Sequence, residues 1–258
     1  MRSKISYLSE KAAYFRYLSE RGYEANVSNE LNFESLPHVF STHSLEEILE
    51  WYEELKNKCP MRVTEIPLDQ CRHWYFEQGS GSLRHDSGEF YAVKGYRVEG
   101  SASREVTDGW DQPLLTQVGY DGGILGLLRK KIDGVPHYLV EAKVEPGNYN
   151  LVQISTTLQA TFSNIKRSHR GRKPHFCDLF TNPADFPITV LLDQWMSEDG
   201  GRLYNKRNRS MLLEYSEEAP LDLPNDQFKW ITLYQLKTLI RDHNAIVAPH
   251  IRGIISAF

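Results

Sequence analysis

Two apolar runs joined by a tight-turn signal constrain this chain most. GILGLLRKK (123–131) and PHYLVEAKV (136–144) flank Ile132-Asp133-Gly134-Val135. Asp-Gly between two runs rich in aliphatic residues predicts a two-residue hairpin, because both turn positions need positive φ and Gly supplies one without steric cost.

Around this hairpin the texture is that of short strands. VTEIPL, GEFYAVKGYRVEG and the two hairpin runs are rich in β-branched and aromatic residues and are separated by Gly, Asp or Pro. Helical periodicity sits outside them. Ser44 with Glu47 three residues on predicts a capped helix start, and SLEEILEWYEELKNK places Leu45, Ile48, Trp51, Tyr52 and Leu55 on one face. WITLYQLKTLIRDHN near the end reads as a second amphipathic helix with Thr232 at its N-cap. The expected organisation is α+β: an N-terminal helical segment over residues 1–60 packed on a main domain over 61–258, with a central mixed or antiparallel sheet.

Composition narrows the function classes. The 258 residues carry 30 basic and 34 acidic side chains, net −4, so no global field draws the chain to nucleic acid or to a membrane. Cys59, Cys71 and Cys177 are widely spaced with no CxxC pair, which argues for a reducing compartment and against a zinc site. The N-terminus is too charged for a signal peptide and no run approaches a membrane span, so a cytoplasmic location is expected. GxxxxGK[ST], GxGxxG opening a helix, GxSxG and HxxxH are all missing, which leaves acid–base chemistry from Glu, Lys, His or Tyr as the best-supplied class.

Three local features could carry such chemistry. VEAKVEPGNYNLVQISTTLQAT (140–161) mixes Gln153, Ser155, Thr156, Thr157, Gln159 and Thr161 with few aliphatics, too polar for packing and too β-branched for a loop. In the same stretch Glu141, Lys143 and Glu145 alternate, so on a strand they share one side. A plain same-face ion pair is the competing reading. Two basic runs, 166–173 (KRSHRGRK) and 202–209 (RLYNKRNR), suit an anionic ligand, although a lone charge run is more often a solvated face. Arg207 and Arg209 alternate and would face one side of a strand. His169 and His175 lie near each other in sequence, and Trp74, Tyr91 and Tyr149 are among the aromatics able to wall a base or sugar.

Taken together, WDQPLLTQ (110–117), GGILGLL (122–128), the long block 133–171, RLYNKRNRSMLLE (202–214) and the tail 230–258 resemble the NDP-hexose 2,3-dehydratase family of deoxysugar biosynthesis. The resemblance covers about residues 30–258. It implies a Nudix-hydrolase-like fold with a central mixed sheet flanked by helices but without the Nudix box, since Arg104-Glu105 is followed by no paired Glu. It implies a lyase that removes water across C2 and C3 of a dTDP-4-keto-6-deoxyhexose, giving a 3,4-diketo-2,6-dideoxy sugar, with no metal or nicotinamide cofactor. The alternative is a catalytically degenerate nucleotide-sugar binding module.

Under that resemblance Glu145 is the first candidate for the proton-moving carboxylate. Lys143 would stabilise the enolate, and His169 and Tyr149 compete as acid or base. Gln117, Gln153, Gln159, Thr161 and Asn164 would bind sugar or base edges. Arg167, Arg170, Arg207 and Arg209 would hold the diphosphate, and Trp74 would stack. Familiar members are about twice this length and hold two related copies of the domain. A homodimer replacing the tandem pair is therefore expected, with a 3-ketoreductase acting on the unstable product.

Overall fold

The computed structural model describes residues 4–37, 40–100, 103, 105–119, 122–165 and 172–257. Three helices come first: α1 (Lys4–Ser19), α2 (Val27–Glu34) and α3 (Leu45–Lys58). The strands β1 (Trp74–Phe76), β2 (Leu83–His85), β3 (Ala92–Val98), β4 (Trp110–Thr116), β5 (Gly123–Ile132), β6 (Val135–Val144), β7 (Val152–Ser155) and β8 (Leu158–Thr161) follow. The short helices α4 (Phe162–Ile165) and α5 (Cys177–Thr181) lead into β9 (Ile188–Ser197), β10 (Leu203–Tyr204), β11 (Arg207–Tyr215) and β12 (Phe228–Ile231). Helices α6 (Leu233–Asp242) and α7 (Pro249–Ile255) close the fold.

The larger sheet has the order β12-β6-β5-β11-β9, with β7 on β6 and β8 on β5. It is mixed, because β11 runs parallel to β5 while its other pairs are antiparallel. A smaller sheet, β1-β2-β3-β4-β10, also contains one parallel pair. The α+β expectation with a mixed sheet flanked by helices is met. The Asp133-Gly134 turn takes positive φ at both positions, 52° and 77°, and pairs Ile132 with Val135.

Helix α3 starts where the sequence places it. Ser44 Oγ accepts from the Glu47 amide at 3.2 Å while Glu47 returns a carboxylate to the Ser44 amide at 2.7 Å. Thr232 and Gln235 build the same box for α6. Ile48, Trp51 and Tyr52 of α3 then join Leu236 and Leu239 of α6 and Ile251 and Ile254 of α7 on one face of the sheet. The other face packs Ile124, Leu128, Leu139, Met211 and Leu213 against Phe180 of α5.

The feature that shapes the functional region is a fork. β5 and β6 pair only from Leu128–Leu139 to the hairpin turn. Beyond that point they part: β5 continues with β8 as partner and β6 with β7. Two parting strands strand backbone groups, which must find partners when buried. Thr157 sits at the apex, its hydroxyl accepting from the Leu128 amide at 2.8 Å and donating to the Leu139 carbonyl at 2.5 Å. Thr156 donates to the Leu158 carbonyl at 2.9 Å and Ser155 to Gln159 at 3.0 Å. The three hydroxyl residues are essentially inaccessible. Part of the polar string therefore seals the fork rather than meeting a ligand.

Candidate functional site

Three cavities run around one short segment, Leu158–Asn164. The largest of these three, about 310 Å³, lies on the open side of the fork and is lined by Glu141, Lys143, Gln159, Asn164, Arg172 and His175 among others. A second, about 140 Å³, is lined by Tyr91, Gln159, Thr161, Glu198, Lys206 and His250 among others. A third of about 140 Å³ is bounded by Phe90, Tyr91, Gln117, Thr161 and Asn164. Gln159 is shared by the first and second, Asn164 by the first and third, and Thr161 and Tyr91 by the second and third. A wider hollow of about 510 Å³ at the far end of β11 is lined by Glu214, Glu217 and Glu218, which repel an anion.

Strand alternation brings Glu141 and Lys143 to the same wall of the cavity at the fork, and their charged groups are 3.4 Å apart. Burial pushes the Glu141 carboxyl above the usual carboxylate range, with Lys143 and His175 opposing the shift. A carboxyl whose proton affinity is raised by burial, beside an ammonium, is a candidate for moving protons. Lys143, Arg172, Lys173 and His175 outnumber that one carboxylate around the cavity, and Phe228 provides an apolar wall.

Several residues named from the sequence meet at these cavities. Lys143, Gln159 and Asn164 line the largest, Thr161 the two smaller ones, and Gln117 the third. Gln117 accepts from Lys206 and donates to the Gly122 carbonyl at 3.2 Å. Thr161 Oγ1 lies 2.8 Å from Ser163 Oγ. His169, Arg167 and Arg170 lie outside the described residues.

Others are placed differently, for reasons of register. Arg207 and Arg209 do share a face of β11, the one that continues into Met211 and Leu213, but neither lines any of the three cavities. Arg207 stacks over the Trp195 ring at 4.8 Å, and Arg209 forms a two-pronged bond to Asp193 at 2.7 and 2.5 Å. Lys206, just before the strand, and Asn208 within it point inward instead. Gln153 is buried and donates to the Ala245 carbonyl at 2.6 Å, tying β7 to the α6–α7 connection rather than to a ligand. Glu145 lies one residue beyond β6, half-buried at the start of the 145–151 turn, and does not line the largest cavity. Tyr149 on that turn is 68% exposed. Trp74 packs edge-on against His85 at 5.3 Å, in the small sheet.

The residues that were not selected from the sequence are Glu141, Arg172, Phe228, Glu198, Lys206, Asn208 and His250. Glu141 shares the alternation that pointed to Glu145, and Lys206 and Asn208 belong to the basic run that pointed to Arg207 and Arg209. The pattern marks the right segment in both cases: β6 ends at Val144, before Glu145, and in the 206–209 run the partner strands decide which parity faces the cleft.

Comparison with known proteins follows the same segments. The model of the family described as NDP-hexose 2,3-dehydratase matches residues 45–258. Three similar relatives are each named dTDP-4-dehydro-6-deoxy-alpha-D-glucopyranose 2,3-dehydratase. That of Saccharopolyspora spinosa is 39% identical over 80% of this chain and 40% of its own. That of Streptomyces violaceoruber is 37% identical over 76% and 42%, and that of Amycolatopsis orientalis 36% identical over 78% and 42%. The chain thus spans about two-fifths of the length of the curated relatives it matches. Among solved structures, the Nudix hydrolase RenU from M. smegmatis aligns with 55% of this chain and 86% of its own, at 12% identity and a TM-score of 0.31. The family match covers the fork, the cavities and α3 through α7, and the chain belongs to the NDP-hexose 2,3-dehydratase family.

Proposed function

We propose that the chain is a hydro-lyase that removes water across C2 and C3 of a dTDP-4-keto-6-deoxyhexose to give a 3,4-diketo-2,6-dideoxy sugar. The observation that carries this reading is the Glu141–Lys143 pair on the wall of a cavity whose lining also holds Arg172 and Lys173. The 4-keto group acidifies the C3 proton, so elimination needs a proton acceptor, a cation at the developing enolate oxygen and a proton donor to the leaving C2 hydroxyl. Glu141, whose proton affinity burial raises, serves as the donor to the hydroxyl. Arg172 and His175 face the diphosphate, with Lys173, which also pairs with Asp178. Gln159 and Asn164 hydrogen-bond the sugar. Glu145 acts at a distance, since its charge raises the Glu141 carboxyl further.

The relatives' printed activity supports the substrate class, and a homodimer belongs to the same reading. A cytoplasmic location and prompt reduction of the reactive diketone by a 3-ketoreductase complete the reading.

Incubation with dTDP-4-keto-6-deoxyglucose in deuterated water, with a 3-ketoreductase trapping the product, tests it. Mass spectrometry is expected to show a 2-deoxy sugar carrying solvent deuterium at C2. Tight binding of thymidine diphosphate with unchanged sugar would point instead to a binding module that does not turn over.

A further inference from the structure

Elimination needs a base at C3 while an acid waits at the C2 hydroxyl, and one carboxyl cannot hold a proton and accept one at the same time. If Glu141 is the acid, the base must come from elsewhere. The second cavity, which shares Gln159 with the first, holds a cluster to which the reading above gives no role.

We propose that this second cavity completes the active site: His250, oriented by Glu198, takes the C3 proton, and Lys206 holds the enolate oxygen at C4. The proposal rests on the dehydratase reading and extends it to residues of β11's approach and of α7.

Geometry carries it. Helix α7 brings His250 to the cavity wall with Nδ1 3.8 Å from Glu198 Oε1. Asn208 donates its amide to the same carboxylate oxygen, while its own carbonyl accepts from the Gly123 amide at 3.0 Å, so Glu198 is anchored to β5 through β11. The carboxylate lies on the Nδ1 side of the ring, at 3.8 Å, so a small rotation brings Nδ1–H onto it and leaves Nε2 free to accept. Lys206 is only 8% exposed; it donates to the neutral amide of Gln117 and lies 5.5 Å from the Tyr91 ring centre. A nearly dry ammonium with donors to spare stabilises a new negative oxygen far better than a hydrated one.

The electrostatics agree. Burial lowers the affinity of His250 for a proton, with Glu198 and then Glu145 opposing, and burial likewise lowers that of Lys206, with Glu198 opposing. The Glu145 charge is felt by both His250 and Glu141, which puts one carboxylate within range of both proton-moving groups.

The proton balance closes without a co-reactant. His250 takes the C3 proton and the C3–H electron pair becomes the enolate. Collapse of the enolate breaks the C2–O bond, and Glu141 gives its proton to the departing oxygen, which leaves as water. The C3 enol then passes its hydroxyl proton to Glu141 while the His250 imidazolium protonates C2. Both groups return to their starting states, one water is lost, and nothing is oxidised or reduced.

His250→Ala is the test, assayed for turnover and, by calorimetry, for thymidine diphosphate binding. Turnover is expected to fall by about 10²-fold or more with affinity within about twofold of wild type, and added imidazole is expected to restore at least about tenfold. Lys206→Met is expected to lose a similar factor, with Lys206→Arg recovering part of it. The proposal is overturned if His250→Ala keeps more than about a fifth of wild-type turnover. Loss accompanied by weakened nucleotide binding and no imidazole rescue overturns it too, and Lys206→Met at the wild-type rate removes the lysine's part. A wild-type chain that binds but never dehydrates the sugar brings down the dehydratase reading itself, whereas a working wild type matched by His250→Ala brings down only this inference.

Discussion

The two ends of the β5–β6 pair treat buried charge in opposite ways. At the closed end, near the hairpin, Arg129 is 2% exposed and meets Glu34 through two nitrogens at 2.5 and 3.4 Å, Glu30 at 3.0 Å, and Glu214. Tyr138 donates a further 2.5 Å bond to Glu34. At the forked end Glu141 and Lys143 stand 3.4 Å apart, and His250 and Glu198 3.8 Å apart, each pair on the wall of a cavity. Desolvating a charge costs several kcal/mol unless close partners offset it. The closed end meets that cost with short, multiple bonds, and these clamp α2 onto the sheet. The forked end holds its charged pairs at longer range on cavity walls, the arrangement the proposed site calls for.

This contrast is open to attack by substitution. The largest stability effect is expected at the closed end: Glu34→Ala leaves Arg129 buried with fewer partners and should cost about 3–5 kcal/mol in urea unfolding. A loss below about 1 kcal/mol would mean that the clamp is not needed.

Next comes His137, also at the closed end and fully buried. One ring nitrogen bonds the Val135 carbonyl at 2.8 Å and the other accepts from the Thr42 amide at 3.1 Å. Burial, the dominant cause, pushes its pKa down to about 4, from the ordinary 6.5. Above pH 6.5 both folded and unfolded chains hold it neutral and its contribution is complete. As pH falls from 6.5 toward 4 the unfolded chain gains a proton that the folded chain cannot, so stability is lost across that window, by about 3 kcal/mol. Unfolding midpoints measured between pH 7 and 4 should show this slope, and His137→Gln should flatten it.

A smaller effect is expected where β5 enters the forked end. A Cβ on Gly126 would stand 2.3 Å from the Phe180 ring, so Gly126→Ala should cost about 1–3 kcal/mol in thermal unfolding. The smallest prediction separates the two basic runs. Arg172→Ala should weaken thymidine diphosphate binding about tenfold, and Arg209→Ala, paired with Asp193 on the outer face, less than about twofold. Equal effects in titration calorimetry would undo the assignment of faces.

What the sequence made legible follows the range of the interactions. The Asp133-Gly134 turn and the Ser44–Glu47 and Thr232–Gln235 boxes are decided within four residues, and they stand where local pattern puts them. The long polar block 140–161 was legible as unusual, and half of it does line cavities. Its other half is explained by the fork: Thr156 and Thr157 are polar because parting strands need hydroxyls, and no local signal announces that β5 and β6 part after Leu128. Parity in the 206–209 run was equally hidden, because pairing of β11 with β5 and β9 chooses the inward face. The Arg129–Glu34 clamp joins residues 95 apart in sequence, beyond any periodicity.

Glu141→Gln, measured side by side with wild type for dehydration of dTDP-4-keto-6-deoxyglucose and for unfolding midpoint, bears most directly on the forked end as the site of chemistry. Turnover should fall by about 10²–10⁴-fold while the midpoint stays within about 1 kcal/mol of wild type. Turnover near the wild-type rate, or a collapse of stability like that expected of Glu34→Ala, would contradict it and make Glu141 one more structural charge.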